Sequence, residues 1–446
     1  MLACGATLLA LLTFVTPLTT QARTAADLGA GPSAQSWLLS AMSLGLAVAL
    51  LPAGALADDA GRRRVFVAGL GVLAVGAAVC TSAWTPLVFI AGRLLQGVGG
   101  GAVLACALGL IGHAFAPGPL RAHATGVWGA SVGGGIGAAG ALAVLVDQGS
   151  SWRGSYAVTA VAAVVVGAIA ARLLVESRAA HPRPPDLVGA GLLGAGLASL
   201  LAGLVQARQG WTEPLVLDLG GVAAVLLVAF VVAEARVAAP MLDLGLFRRP
   251  QFVGATVGAL TNGAGAIALA SLLPTLIQQG LGDSLLMATG LTALFPGTSV
   301  FTALNVKHLP VSGPTMLVVG LVGIGVGQLL MVGLTPGSAA VRLVPGLVLS
   351  GVCFGMVNAA LGREAVAAVP PDRTSMESGA NNTARYVGSA VGVSIAVVIF
   401  TRGVGAGGTS ALIPGWNAAA TITAATSIVG GALVLACQLS AAVRRR

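Results

Sequence analysis

Charge is what this sequence has least of. Asp, Glu, Lys and Arg make up only 8% of 446 residues, where a soluble domain carries about a quarter. That excludes a water-soluble globular chain. Hydrophobic residues reach 56% and the mean hydropathy is +0.94, the composition of a polytopic, all-α membrane protein. Cysteine is equally uninformative: Cys4, Cys80, Cys106, Cys353 and Cys437 stand singly inside apolar runs, with neither metal-ligand spacing nor a disulfide framework. No nucleophile–base pair, metal cluster or phosphate loop stands out, so an enzyme, a metal and a cofactor are not expected. The net charge of +9 would suggest nucleic acid in a soluble chain. Here most of it falls in loops facing anionic lipid, which removes nucleic acid as a partner.

What is present is a succession of apolar runs. Fourteen are each long enough to cross a bilayer, at approximately 2–22, 37–57, 64–84, 87–114, 122–146, 154–174, 187–207, 215–235, 252–279, 284–304, 315–335, 342–366, 381–401 and 416–440. The first lacks the basic segment of a signal peptide and is followed directly by further spans, so it reads as an uncleaved helix. Its cytoplasmic tail is nearly absent, which means either an abrupt start or a true start further upstream. With the N-terminus inside, 17 of the 23 Lys and Arg residues fall at cytoplasmic loops or helix ends. Among them are Arg121, Arg178, Arg183, Arg236, Arg373 and the three C-terminal arginines. Five fall outside (Arg23, Arg153, Arg208, Arg342 and Arg402), and Arg93 is left in a helix. The positive-inside rule then puts both termini in the cytoplasm of a plasma (inner) membrane protein. Trp37, Trp84, Trp152, Trp211 and Trp416 land at the external interface, as an aromatic belt; Trp128 does not.

Between the second and third runs lies Gly54-Ala-Leu-Ala-Asp58-Asp59-Ala-Gly61-Arg62-Arg63-Arg64, a tight hairpin at the membrane surface. Gly61 suits the sharp turn, Gly54 allows close helix approach, and Asp58 is placed to bond an arginine or a helix N-terminus. The chain also repeats internally: Arg93-Leu-Leu-Gln-Gly97 opens span 4 and Arg342-Leu-Val-Pro-Gly346 opens span 12. In the second half the hairpin has decayed to Asn305-Val-Lys307-His308.

The hairpin motif resembles the signature loop between helices 2 and 3 of the major facilitator superfamily of secondary transporters. Arg93, Gln96, Gly97 and the glycines after them resemble that superfamily's pattern in helix 4. Gly133, Gly137 and Gly140 lie in a glycine-rich span 5 similar to that of drug/proton antiporters, with Ala138 where a proline is usual. Val369-Pro-Pro-Asp-Arg373 and Ser378-Gly-Ala-Asn381-Asn382-Thr-Ala-Arg385 are similar to the fourteen-span drug/proton antiporter branch. The resemblance implies two six-helix bundles, 1–174 and 251–446, with a linker carrying two extra transmembrane helices at 175–250. It also implies a conformational switch at Gly54, Asp58, Gly61, Arg62 and Arg64, with Asp58 meeting the start of span 13.

Buried polar residues are few. Arg93, Gln96, Asn262 and Asn358 are the candidates for a translocation pathway, and Gly133, Gly137 and Gly140 for helix packing. The first span, near Thr13 or Phe14, lacks the acid that family members usually carry. The expected function is export of amphipathic drugs or antibiotics by alternating access, with protons as the coupling partner and the protein a monomer. The alternative is a facilitator or proton symporter for a small metabolite. A sensor or assembly factor built on a transporter fold is the third class.

Overall fold

The computed structural model describes residues 1–147, 151–207, 210–308, 311–367, 371–402 and 408–443. Arg208, Val369, Pro370 and the C-terminal Arg444, Arg445 and Arg446 lie outside the described residues, as do the Lys307 side chain and the surroundings of Gly140. The described chain is helical, without a strand. Its helices are α1 (Leu2–Val15), α2 (Pro17–Leu28), α3 (Pro32–Ala60), α4 (Arg62–Thr81), α5 (Pro86–Ala114), α6 (Pro119–Asp147), α7 (Arg153–Leu173), α8 (Leu187–Gln206) and α9 (Pro214–Glu234). They continue as α10 (Pro250–Asn262), α11 (Ala268–Thr275), α12 (Leu285–Asn305), α13 (Gly313–Leu329), α14 (Val344–Ala367), α15 (Thr374–Phe400) and α16 (Leu412–Val443). Among the described residues 11 helices are long and apolar enough to cross a membrane, or 12 if the bent pair α1–α2 is one span.

Two of the expected spans are not simple helices. The first is broken by 45° between Val15 and Pro17, because proline cannot supply the amide that the preceding turn requires. The ninth runs through α10 and α11 with π-helical turns at Gly263–Ile267 and Leu276–Gly280. Gln328 of α13 secures the first of these turns, donating from Nε2 to the Gly265 carbonyl at 3.0 Å and accepting from Ser427 Oγ at 3.2 Å.

Lipid tails are as apolar as leucine, so these helices associate through close packing rather than hydrophobic collapse. The contacts are made at glycine. Gly45 of α3 and Gly97 of α5 face one another, as do Gly76 of α4 with Gly92 of α5, and Gly327 of α13 with Gly346 of α14. One buried cluster joins α1 and α3–α7 and takes in Ala365, Val366 and Tyr386 of α14 and α15; another joins α10–α16. Helix α8 packs on both α3 and α15, with Ser394 Oγ donating to the Leu204 carbonyl at 2.9 Å. Helix α9 rests on α8, and only 17% of its most apolar stretch is buried in protein.

Tryptophan departs from the expected belt. Trp84 and Trp211 are exposed, but Trp152 and Trp416 are buried. Trp416 donates to the Met331 carbonyl at 3.0 Å, and Trp152 to Asp27 at 3.1 Å. Their indole N–H groups found partners inside the protein, which tryptophan does as readily as it faces an interface.

Candidate functional site

The hairpin between α3 and α4 is built around two carboxylates. Gly61 has φ +122°, a backbone region that other residues rarely enter. A Cβ there would also meet the Glu176 carboxylate at 2.8 Å. Glu176 accepts from the amides of Arg63 (3.0 Å), Arg64 (3.3 Å) and Ser177 (3.0 Å), so it caps the N-terminus of α4, where negative charge is favoured. Arg64 itself points outward, its side chain 76% exposed, with a long 3.7 Å ion pair to Glu176.

Asp58 is fully buried. Its Oδ1 accepts from Arg62 Nε at 2.9 Å and Nη2 at 2.7 Å, and from the Ser375 amide at 3.2 Å. Its Oδ2 accepts from the Met376 amide at 2.8 Å. Arg62 Nε also reaches Ser375 Oγ at 3.2 Å. The carboxylate therefore caps α15, on the other side of the molecule's seam, while its own arginine neutralises it. Gly54 makes this approach feasible, since a Cβ there would overlap the Ser375 backbone. Ser378 extends the seam by donating to the Leu104 carbonyl of α5 at 3.1 Å.

Arg93 is buried and bonded to the helix bend in the first span. Nη1 donates to the Thr13 carbonyl (2.9 Å) and Gln96 Oε1 (2.7 Å), and Nη2 to the Phe14 carbonyl (3.1 Å). In an unbroken helix the Thr13 carbonyl would accept from residue 17, but residue 17 is proline. Arg93 thus fills the acceptor that Pro17 vacates. Its partner in the repeat, Arg342, lies instead in a 3₁₀ turn before α14 and is exposed.

Asn262 and Asn358 are both fully buried, on α10 and α14. Neither polar atom of the Asn262 side chain has a partner, and Asn358 bonds only its own helix, at the Phe354 carbonyl (2.9 Å). No hydrogen bond among the described residues joins this pair to Arg93 and Gln96. Gly133 and Gly137 of α6 abut α12: Cβ atoms there would lie 2.9 Å from Ser299 Oγ and 3.4 Å from Pro296.

Two features were not picked out from the sequence. Asp59 receives Arg373 Nη1 on both oxygens at 3.0 Å, a second ion pair across the seam, and also accepts from the Arg183 amide at 3.0 Å. Arg385, on α15, is 3% exposed and lies with Cζ 6.0 Å from the Trp128 ring centroid. Starting span 13 at residue 381 leaves Arg385 one turn from the membrane surface. The helix starts at Thr374, which puts Arg385 roughly 16 Å along it at 1.5 Å per residue.

The comparisons with known proteins agree with this architecture. A family model described as Major Facilitator Superfamily matches residues 2–393. The chain is 30% identical over 432 residues to the puromycin resistance protein pur8 of Streptomyces alboniger, covering 93% of this chain and 84% of that one. It is 32% identical to a probable actinorhodin transporter of Streptomyces coelicolor (90% and 72% covered) and 33% identical to the cephamycin export protein CmcT of Amycolatopsis lactamdurans (86% and 81%). In fold it is similar to the human organic anion transporter MFSD10, with a TM-score of 0.68 at 18% identity over 97% of this chain and 98% of that one. These relatives are transporters rather than enzymes. The chain is a multi-pass membrane protein and belongs to the Major Facilitator Superfamily.

Proposed function

We propose that the protein exports amphipathic organic compounds, of antibiotic or drug type, by alternating access between two six-helix bundles. The observation that carries this reading is the set of relatives at 30%, 32% and 33% identity named for resistance, transport or export. Alternating access is supported by the capping of α15 by Asp58, a contact that can exist in only one of two bundle arrangements. Taking α1–α2 as one span brings the count to twelve, and adding α6 and α13 gives fourteen. Residues 1–174 and 251–446 are then the bundles, 175–250 carry two inserted helices, and both termini are cytoplasmic in the inner membrane. The functional unit is a monomer.

Coupling is to proton antiport. The first span has no acid near Thr13 or Phe14, so the proton falls to a carboxylate elsewhere. Glu377 of α15 and Glu364 of α14 are the candidates: both are buried, and Glu377 Oε2 has no partner. The test is uptake of puromycin into inside-out membrane vesicles under an imposed proton gradient. Uptake that needs the protein and collapses with a protonophore is expected. Protein-dependent uptake indifferent to the gradient leaves a facilitator, and no movement of any relative's compound removes the export reading.

A further inference from the structure

Among the described residues three arginines are almost fully buried: Arg62, Arg93 and Arg385, at 2%, 0% and 3% exposure. The first two are provided for. Arg62 pairs with Asp58, and Arg93 donates to Thr13, Phe14 and Gln96. Arg385 has no such set. Its Nε and Nη2 are sealed from solvent with no hydrogen-bond partner, and no ion pair of the described residues includes it. A buried cation left without an anion or acceptors is among the most costly arrangements in a protein interior. The Trp128 ring, at 6.0 Å from Cζ, is at the outer limit for a cation–π contact and offsets little of that cost.

The surroundings share the same deficit. The indole Nε1 of Trp128 is also buried without a partner. Trp128 belongs to α6 and Arg385 to α15, so donors from both halves of the chain meet at the seam. One flank of α15 is closed, because Gly263, just after α10, lies against the Arg385 carbonyl and the Leu260 backbone of α10 lies against Gly388. Next along α15, Tyr386 packs edge-on against Phe14 of α1, with ring centroids 5.7 Å apart. A cation and an indole N–H, neither of them bonded to an acceptor, beside aromatic edges specify the complement: a planar aromatic group bearing a carboxylate or another delocalised anion.

We infer that Arg385 and Trp128 form an anion-binding site for aromatic carboxylates midway along the seam between the two halves. As a site on an export route, it rests on the reading given above; as a binding site, it does not. Carboxylate oxygens would take the guanidinium in the bidentate geometry for which arginine is suited, and the indole N–H would hold a remaining lone pair.

The test uses 1-naphthoate and its neutral isostere 1-naphthamide, with purified protein in lipid nanodiscs and equilibrium dialysis as the readout. Naphthoate should bind at least about tenfold more tightly than the amide, the scale of one charge-assisted hydrogen bond. Arg385→Gln should erase the preference while leaving amide affinity within about twofold, and Arg385→Lys should keep its sign at reduced size. Trp128→Phe, which retains the ring and removes the N–H, should weaken naphthoate alone and serves if Arg385→Gln does not fold. Failure of the unaltered protein to bind naphthoate, equal affinity for both probes, or a preference surviving Arg385→Gln overturns the inference. Efflux from proteoliposomes separates the two readings. Binding preference without movement of either probe retains the site and rejects export; movement without preference does the reverse.

Discussion

Asp58 Oδ2 accepts the Met376 amide at 2.8 Å across 318 residues of sequence, the shortest of the bonds from Asp58 that tie the α3–α4 hairpin to the start of α15. The same carboxylate holds Arg62 through its other oxygen at 2.7 Å. Charge, helix dipole and close packing at Gly54 therefore converge on one side chain.

Asp58→Asn should loosen the seam while the helices remain folded. The amide keeps one acceptor but loses the charge that favours a helix N-terminus and strands Arg62. Separation of the halves lets water reach Arg62, so the loss falls mainly on the closed state. A shift of about 1.4 kcal/mol would change the population ratio roughly tenfold. Ser378 is the reporter of choice, being fully buried and bonded across to α5. In a background lacking the native cysteines, Ser378→Cys should resist alkylation and become reactive when Asp58→Asn is added. Unchanged reactivity would make Asp58 a capping residue without a part in switching.

Asp59, next to Asp58 in sequence, also reaches across the seam. The ion pair with Arg373, with side chains 13% and 16% exposed, gives it a role of its own. Partly exposed pairs contribute about 0.2–1 kcal/mol, so Asp59→Asn should raise Ser378→Cys reactivity by at most about fivefold, less than Asp58→Asn does. The exchange Asp59→Arg with Arg373→Asp should restore much of what either single change loses. Additive losses in the double variant would show that the two side chains are not coupled.

The helical class and the hairpin were legible because both depend on local rules: hydropathy marks spans, and a glycine between acids and arginines marks a turn at a surface. The start of α15 was not. Thr374, Ser375, Glu377 and Ser378 precede the apolar run at 381–401, yet they are buried against α3 and α5, where the seam supplies the partners that water would otherwise provide. The polar opening of α15 hid two turns of helix and with them the depth of Arg385. The first span read as one helix over 2–22, although Pro17 is the local signal of its bend. That an arginine more than 70 residues later would fill the vacant acceptor required the packing of α5 on α1.

Topology is testable at sites within the described residues. Ser82, just beyond α4, and Ala180, between α7 and α8, are both exposed. If both termini are cytoplasmic, Ser82→Cys should react with an impermeant maleimide in intact cells, and Ala180→Cys only after permeabilisation. Reaction at Ala180 in intact cells would reject the fourteen-span arrangement.

Arg93 offers the sharpest distinction between a structural and a transporting role. Its Nη1 bond to the Thr13 carbonyl replaces the amide that Pro17 lacks. Arg93→Ala therefore leaves buried acceptors unpaired, at about 1–3 kcal/mol, and should lower the melting temperature in detergent. Arg93→Lys should recover only part, because lysine has no planar fork to serve Thr13, Phe14 and Gln96 together. Pro17→Ala returns an amide to Thr13. In the Arg93→Ala background it should regain about 1 kcal/mol, while alone it gains little, because the acceptor is already filled. If that double variant recovers both stability and transport, Arg93 acts by holding the bend. Recovery of stability without transport would assign it a direct part in the pathway. No thermal coupling between the two positions would refute the capping role itself.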